Sequence, residues 1–324
     1  MKLLFLLFSL AAADPVFAMW DLNPRLDISP DGKYFAASFN GNLNIGTING
    51  TDKKFTNAVA LGDSFDWQFL GFTPDGKKLA IMRMKEAEIR YYSLDGKYLG
   101  KVEDARPRFM STSFKWFVDS RNGEKADHNR LCALTQNGCG PKFDLSGDLA
   151  YAAFDPGDKL AALALYRPWG KDKKGVSSLT LLSLKTGKAL KTHAPKEFGR
   201  IVSPVFSPDG RFLAFGDGDS KVRVVSLSDW KFLPEVFKHG VSPTVIQFSG
   251  KRGLMAGAYG NALRVYALPD LRLVLNRDSS GSSDTDWDIY DLAFAVDDSF
   301  VAALVMTTKN DKVAYSVKFL DIKK

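Results

Sequence analysis

The sequence predicts an all-β protein, a seven-bladed β-propeller of four-stranded antiparallel blades. A hairpin phrase recurs along the chain, a strand-closing phrase recurs out of step with it, and helical patterning is nearly absent.

The hairpin phrase reads Ser29-Pro30-Asp31-Gly32-Lys33, Thr73-Pro74-Asp75-Gly76-Lys77 and Ser207-Pro208-Asp209-Gly210-Arg211. Weaker copies stand at Phe154-Asp155-Pro156-Gly157-Asp158, Phe248-Ser249-Gly250-Lys251 and Phe294-Ala295-Val296-Asp297-Asp298. Pro presets φ, Asp bonds the local backbone and Gly accepts positive φ, so each copy is a tight turn between two strands. A strand follows each turn, and it carries Ala36, Ala80, Ala161, Ala214 or Ala302 where close sheet packing needs a small side chain.

The closing phrase ends a strand on Leu or Ile before a polar turn, at Ile48, Leu94, Leu184, Leu227, Leu268 and Ile322. These positions recur about every 40 to 50 residues, a propeller period, with one gap about twice as wide between Leu94 and Leu184. Ala133-Leu134-Thr135-Gln136-Asn137-Gly138 supplies the degenerate unit inside that gap, so the count is seven. The last unit reaches Ile322 with three strands. Its outer strand is expected from the N-terminal segment around Met19-Trp20-Asp21, closing the ring by hydrogen bonds.

The phrase Phe-Ser-Pro-Asp-Gly-Lys/Arg resembles the WD-like repeats of bacterial exported propellers, including TolB-type and quinoprotein-subunit families. The resemblance spans nearly all of the chain after its leader. It implies the fold and leaves function open, because the motif encodes a hairpin. The Gly-His and Trp-Asp pairs of eukaryotic WD repeats are missing, so a signalling-scaffold role does not carry over.

Met1-Lys2, the apolar run Leu3 to Ala13 and Asp14-Pro15-Val16-Phe17-Ala18 have the order of a secretory signal. Residues 1–18 are read as that signal, with cleavage after Ala13 as the rival site, and 19–324 as one propeller domain. Cleavage at Ala13 would let Val16 and Phe17 join the closing strand. No later run approaches the roughly 20 apolar residues of a membrane span. The expected location is therefore periplasmic or secreted. Cys132 and Cys139 are expected to form a disulfide across the Thr135–Gly138 turn in an oxidising compartment. Lys and Arg number 44 against 37 Asp and Glu, a mixed surface with net charge +7 that argues against nucleic acid as partner.

Chemistry is sparser. The sequence contains neither a C-x-x-C-H nor a G-x-S-x-G segment, and His128, His193 and His239 lie outside any metal spacing. The long connections, Ser120 to Asn129, Arg167 to Gly175, His193 to Arg200 and Arg277 to Asp288, are expected on one face of the disc. Loops on a rigid scaffold are where binding concentrates. Three of them belong to the third and fourth blades and bring Arg121, Arg167, Trp169, Lys171, Lys173, Lys174 and Arg200. An aromatic anchor among cations suggests a contact surface for a protein or an anionic envelope component. A solvated charged loop is the plainer reading.

The fourth connection is acidic, and Asp291 is grouped with it. Asp284, Asp286 and Asp288 alternate as the first ligands of a calcium loop do, although the Gly and late Glu of an EF-hand are missing. Calcium enters as the one cofactor expectation, against a plain polar loop. A non-catalytic binding platform is thus expected. The alternative is a metal-dependent propeller hydrolase or lactonase, or a propeller subunit of a quinoprotein-type oxidoreductase, for which Asp66, Asp144 and Asp148 are candidate channel carboxylates; Arg106, Arg108 and Arg200 occupy comparable blade entrances and weigh against that constellation.

Overall fold

The computed structural model describes residues 24–61, 66–120, 129–145, 148–167, 176–193, 201–217, 221–234, 243–278, 287–309 and 312–322. Blade 1 comprises β1 (Arg25–Ile28), β2 (Tyr34–Phe39), β3 (Asn42–Asn49) and β4 (Asp52–Ala60). Blade 2 has β5 (Trp67–Phe72), β6 (Lys78–Arg83), β7 (Glu88–Ser93) and β8 (Tyr98–Val102). Blade 3 has β9 (Pro107–Met110), β10 (Trp116–Ser120), β11 (Asn129–Thr135) and β12 (Gly138–Leu145). Blade 4 has β13 (Asp148–Phe154), β14 (Leu160–Arg167), β15 (Val176–Ser183) and β16 (Ala189–His193). Blade 5 has β17 (Val202–Phe206), β18 (Phe212–Asp217), β19 (Lys221–Ser226) and β20 (Lys231–Phe232). Blade 6 has β21 (Val245–Phe248), β22 (Leu254–Tyr259), β23 (Ala262–Ala267) and β24 (Arg272–Asp278). Blade 7 has β25 (Trp287–Phe294), β26 (Phe300–Lys309) and β27 (Lys312–Asp321), three strands among the described residues. The Met19–Asp21 segment and the leader both lie outside the described residues.

Turn chemistry sets the first hairpin of each blade. Ser29 Oγ donates to Asp31 Oδ1 at 2.7 Å and accepts the Tyr34 N–H at 2.9 Å, while Gly32, at φ +73°, donates to the Ser29 carbonyl. Thr73 with Asp75 and Ser207 with Asp209 repeat the arrangement. In blade 3 the same turn is Ser111-Thr112-Ser113-Phe114-Lys115, and Ser111 Oγ still accepts the Trp116 N–H at 3.0 Å. Phe114 stands there at φ +59°, in the place held by Gly in blades 1, 2 and 5 and by Asp158 and Asp298 in blades 4 and 7. With Thr112, Ser113 and Phe114 in place of the Pro-Asp-Gly core, the third repeat is hidden.

The closing residues explain their own recurrence. The N–H groups of Ile48, Leu134, Leu184, Leu227 and Leu268 each donate at 2.8 Å to a carbonyl of the first hairpin in their own blade, and Ile322 does so at 2.9 Å. Leu134 therefore fills the degenerate unit as its spacing predicts.

Seven hydrophobic clusters lie between the sheets, each drawn from two consecutive blades. Leu26, Ile28, Phe35 and Ala37 of blade 1 pack against Ala295, Phe300, Ala302 and Leu304 of blade 7, which closes the ring. The five recurrent alanines are all fully buried at these seams. Any larger side chain there would have to displace the facing sheet, so the small residue sets how closely blades approach.

Candidate functional site

Antiparallel order puts the first-to-second and third-to-fourth turns at one end of the strands, and the other two kinds of connection at the opposite end. That second end carries the strand termini flanking 121–128, 168–175, 194–200 and 279–286. Arg167 closes β14 and pairs with Val176. Arg121, Trp169, Lys171, Lys173, Lys174, Arg200, Asp284 and Asp286 lie outside the described residues, as do His128 and His239. Asp288 is exposed in β25, where it pairs with Met306.

The expectation for Asp291 is corrected. It is a buried residue inside β25, paired with Leu304, because the strand begins earlier than the acidic run suggests. Asp66 is likewise buried and bound to Arg83, while Asp144 is exposed in β12. Among the described residues no three His, Cys, Asp or Glu side chains are grouped to hold a metal.

What this end does hold is a set of buried ion pairs. Arg83 Nη2 lies 2.7 Å from Asp66 Oδ2 in blade 2, Arg130 Nη2 2.5 Å from Asp119 Oδ2 in blade 3, and Arg223 Nε 2.5 Å from Asp217 Oδ2 in blade 5. The three carboxylate side chains are all buried. Removing a partner from such a pair strands a charge out of water, so each pair fixes the strand ends it joins. Blades 3 and 5 flank blade 4, so the stem of the 168–175 connection stands between two rigid neighbours. On the outer side of blade 2, Glu88 takes both Arg90 and Lys101, the latter at 2.8 Å. Burial pushes the Glu88 carboxyl up, but these two hydrogen-bonded cations outweigh it and hold it below the usual carboxylate range.

Nearer the axis, Arg108 in β9 donates through Nη1 to the Leu149 carbonyl of β13 at 2.7 Å, joining blades 3 and 4. His193, at the end of β16, lies with its ring 5.0 Å from that of Phe232 and 6.2 Å from that of Phe215; burial lowers its pKa. This is the environment of a packed histidine. Cys132 and Cys139 are bonded, joining β11 to β12 across the Thr135–Gly138 turn.

The ion pairs were not singled out from sequence. Their signal was an Asp or Glu at a strand end with an Arg two to seventeen positions away, a pattern that exposed pairs share. No protein-family model matches the chain, and no curated protein matches it.

Proposed function

We propose that this chain is an exported, non-catalytic propeller of the WD-like type that binds a protein or an anionic envelope component over blades 3 and 4. The reading rests chiefly on one observation. The stems of three long connections, 121–128, 168–175 and 194–200, share one end of two adjacent blades, bordered by the buried Asp119–Arg130 and Asp217–Arg223 pairs. A rigid frame of this kind lowers the ordering cost of whatever the connections bind. Trp169 serves as anchor, and Lys171, Lys173 and Lys174, with Arg121, Arg167 and Arg200, attract the partner. The Cys132–Cys139 bond fits an oxidising compartment. No described helix is long and apolar enough to cross a membrane.

Cross-linking in the native envelope with the chain from Met19 onward provides the partner for the test. Lys→Glu changes at the three lysines should then slow association and flatten its salt dependence. Trp169→Ala should speed dissociation, at a cost of about 2 kcal/mol. Binding that survives all four changes overturns the reading. A stoichiometric divalent ion lost together with a hydrolytic activity would instead favour an enzyme built on Asp284, Asp286 and Asp288.

A further inference from the structure

Around most of the ring, polar side chains lace one blade to the next. Ser203 Oγ in β17 donates to the Thr244 carbonyl just before β21, and Thr244 Oγ1 donates to the Ile289 carbonyl of β25, both at 3.3 Å. Asp291 Oδ2 in β25 accepts the Leu26 N–H of β1 at 2.9 Å, and Asp27 Oδ2 in β1 accepts the Phe72 N–H of β5 at 2.8 Å. Blades 3 and 4 are joined twice, by Arg108 with the Leu149 carbonyl and by Asp158, which takes Ser113 Oγ at 2.6 Å and Lys115 Nζ at 3.3 Å. An inner strand is the edge of its sheet, so bonds from outside that sheet are what hold it sideways.

Two seams have no such lace among the described residues, that between blades 4 and 5 and that between blades 2 and 3. Apolar packing tells them apart. The core between blades 4 and 5 has nine buried residues, Phe206 and Phe215 among them. Between blades 2 and 3 there are five, Ala80, Ile89, Ala105, Phe117 and Cys132, where the other six seams have eight to twelve. Two of the five are alanines, so this seam buries the least apolar side chain as well as having no lace. The Cys132–Cys139 bond lies in this core, with Cys132 fully buried and Cys139 packed against it. Gly138, inside the loop that the bond closes, rests on the covalent link between the two blades; a Cβ added there would lie 2.4 Å from the Glu103 carbonyl oxygen and 2.5 Å from that of Asp104.

We propose that the ring opens at the seam between blades 2 and 3, with the disulfide-closed loop as the latch that keeps it shut. A closed ring deforms where the least contact is lost, and sub-global openings follow that route. The link 103–106 is the hinge. Breaking the Cys132–Cys139 bond frees β12 from β11 and withdraws the support of Gly138 from that hinge, so the seam loosens on both sides. Blades 3 and 4 stay together through Arg108 and Asp158 and move as a pair. If that pair carries the partner, as proposed above, the joint sets its freedom relative to blade 2; the measurements below need no partner, so they succeed or fail apart from that reading.

Amide hydrogen exchange of the full chain, read by peptide mass spectrometry and corrected for intrinsic rates, tests the opening. Peptides over β9 and β10 should be protected at least about tenfold less than those over β1 and β2 or over β21 and β22. Equal protection in all blades, or a minimum at another seam, overturns the proposal. The double variant Cys132→Ser/Cys139→Ser tests the latch. Its protection should fall further in β9 and β10 and also across the seam in β5 and β6, while blades 5 and 6 stay as in the parent. A loss confined to β11 and β12 would show a bond that serves only its own hairpin and would overturn the latch. Should this variant fail to fold, Cys132→Ala/Cys139→Ala, which removes the bond without burying a hydroxyl, gives the same comparison, and the profile of the parent decides the opening by itself.

Discussion

Gly71 faces Asp27 across the blade 1 to blade 2 seam, and replacing it by Ala tests how tightly that seam is built. Its φ is +129°, a region essentially reserved for glycine, and a Cβ added there would lie 2.8 Å from Asp27 Oδ2. Backbone strain of this kind costs about 1 to 3 kcal/mol. The carboxylate cannot swing aside freely, because Phe72 and Ile28 hold it; losing one such charge-assisted bond costs about 1.5 to 3 kcal/mol more. Gly71→Ala should therefore destabilise by about 3 to 5 kcal/mol. With Asp27→Ala in the background only the strain remains, so the double variant should be about 2 kcal/mol more stable than the two single losses added together. Urea melts at pH 9, where Asp27 is ionised, followed by tryptophan fluorescence and far-ultraviolet circular dichroism, read all four proteins, and coincident transitions license the comparison. A Gly71→Ala protein within about 1 kcal/mol of the parent, or costs that simply add, would refute the contact.

Two further outcomes concern how the ring is held. A chain starting at Pro24 should melt below one starting at Met19 and aggregate more readily, because β27 would keep an unpaired outer edge; equal midpoints and solubility would put closure elsewhere. Replacing Cys132 and Cys139 together by Ser should cost roughly 2 to 3 kcal/mol, the entropy of a short closed loop, and leave the fold intact. Calorimetry of the oxidised parent against that variant measures it, and an unchanged midpoint would mean that the bond adds nothing to blade 3.

The fold was legible in the sequence because its signals are local. A Ser or Thr, Asp and Gly within four residues make their own turn, and a closing Leu or Ile donates back to that turn inside the same blade. Such phrases recur whatever the neighbouring blades do. They located the repeat, its count and the Cys132–Cys139 bridge. Blade 3 was legible only from its second turn, since Phe114 stands at positive φ where the phrase would place Gly.

Only the tertiary structure decided which polar residues are buried and what meets them. Asp291 reads in sequence as part of an acidic loop, yet it caps the Leu26 N–H of a strand 265 residues away along the chain. Asp27 reads as a polar residue alternating with Leu26 and Ile28, yet it spans the seam to Phe72. The pairing of Arg130 with Asp119 and of Arg223 with Asp217 is of the same sort, since an Arg and an Asp along the chain look alike whether the pair is buried or in water. A ring brings first and last blades together and buries the edges of its inner strands. The need for an acceptor at those edges comes from that closure, and no local pattern of residues shows which side chain meets it.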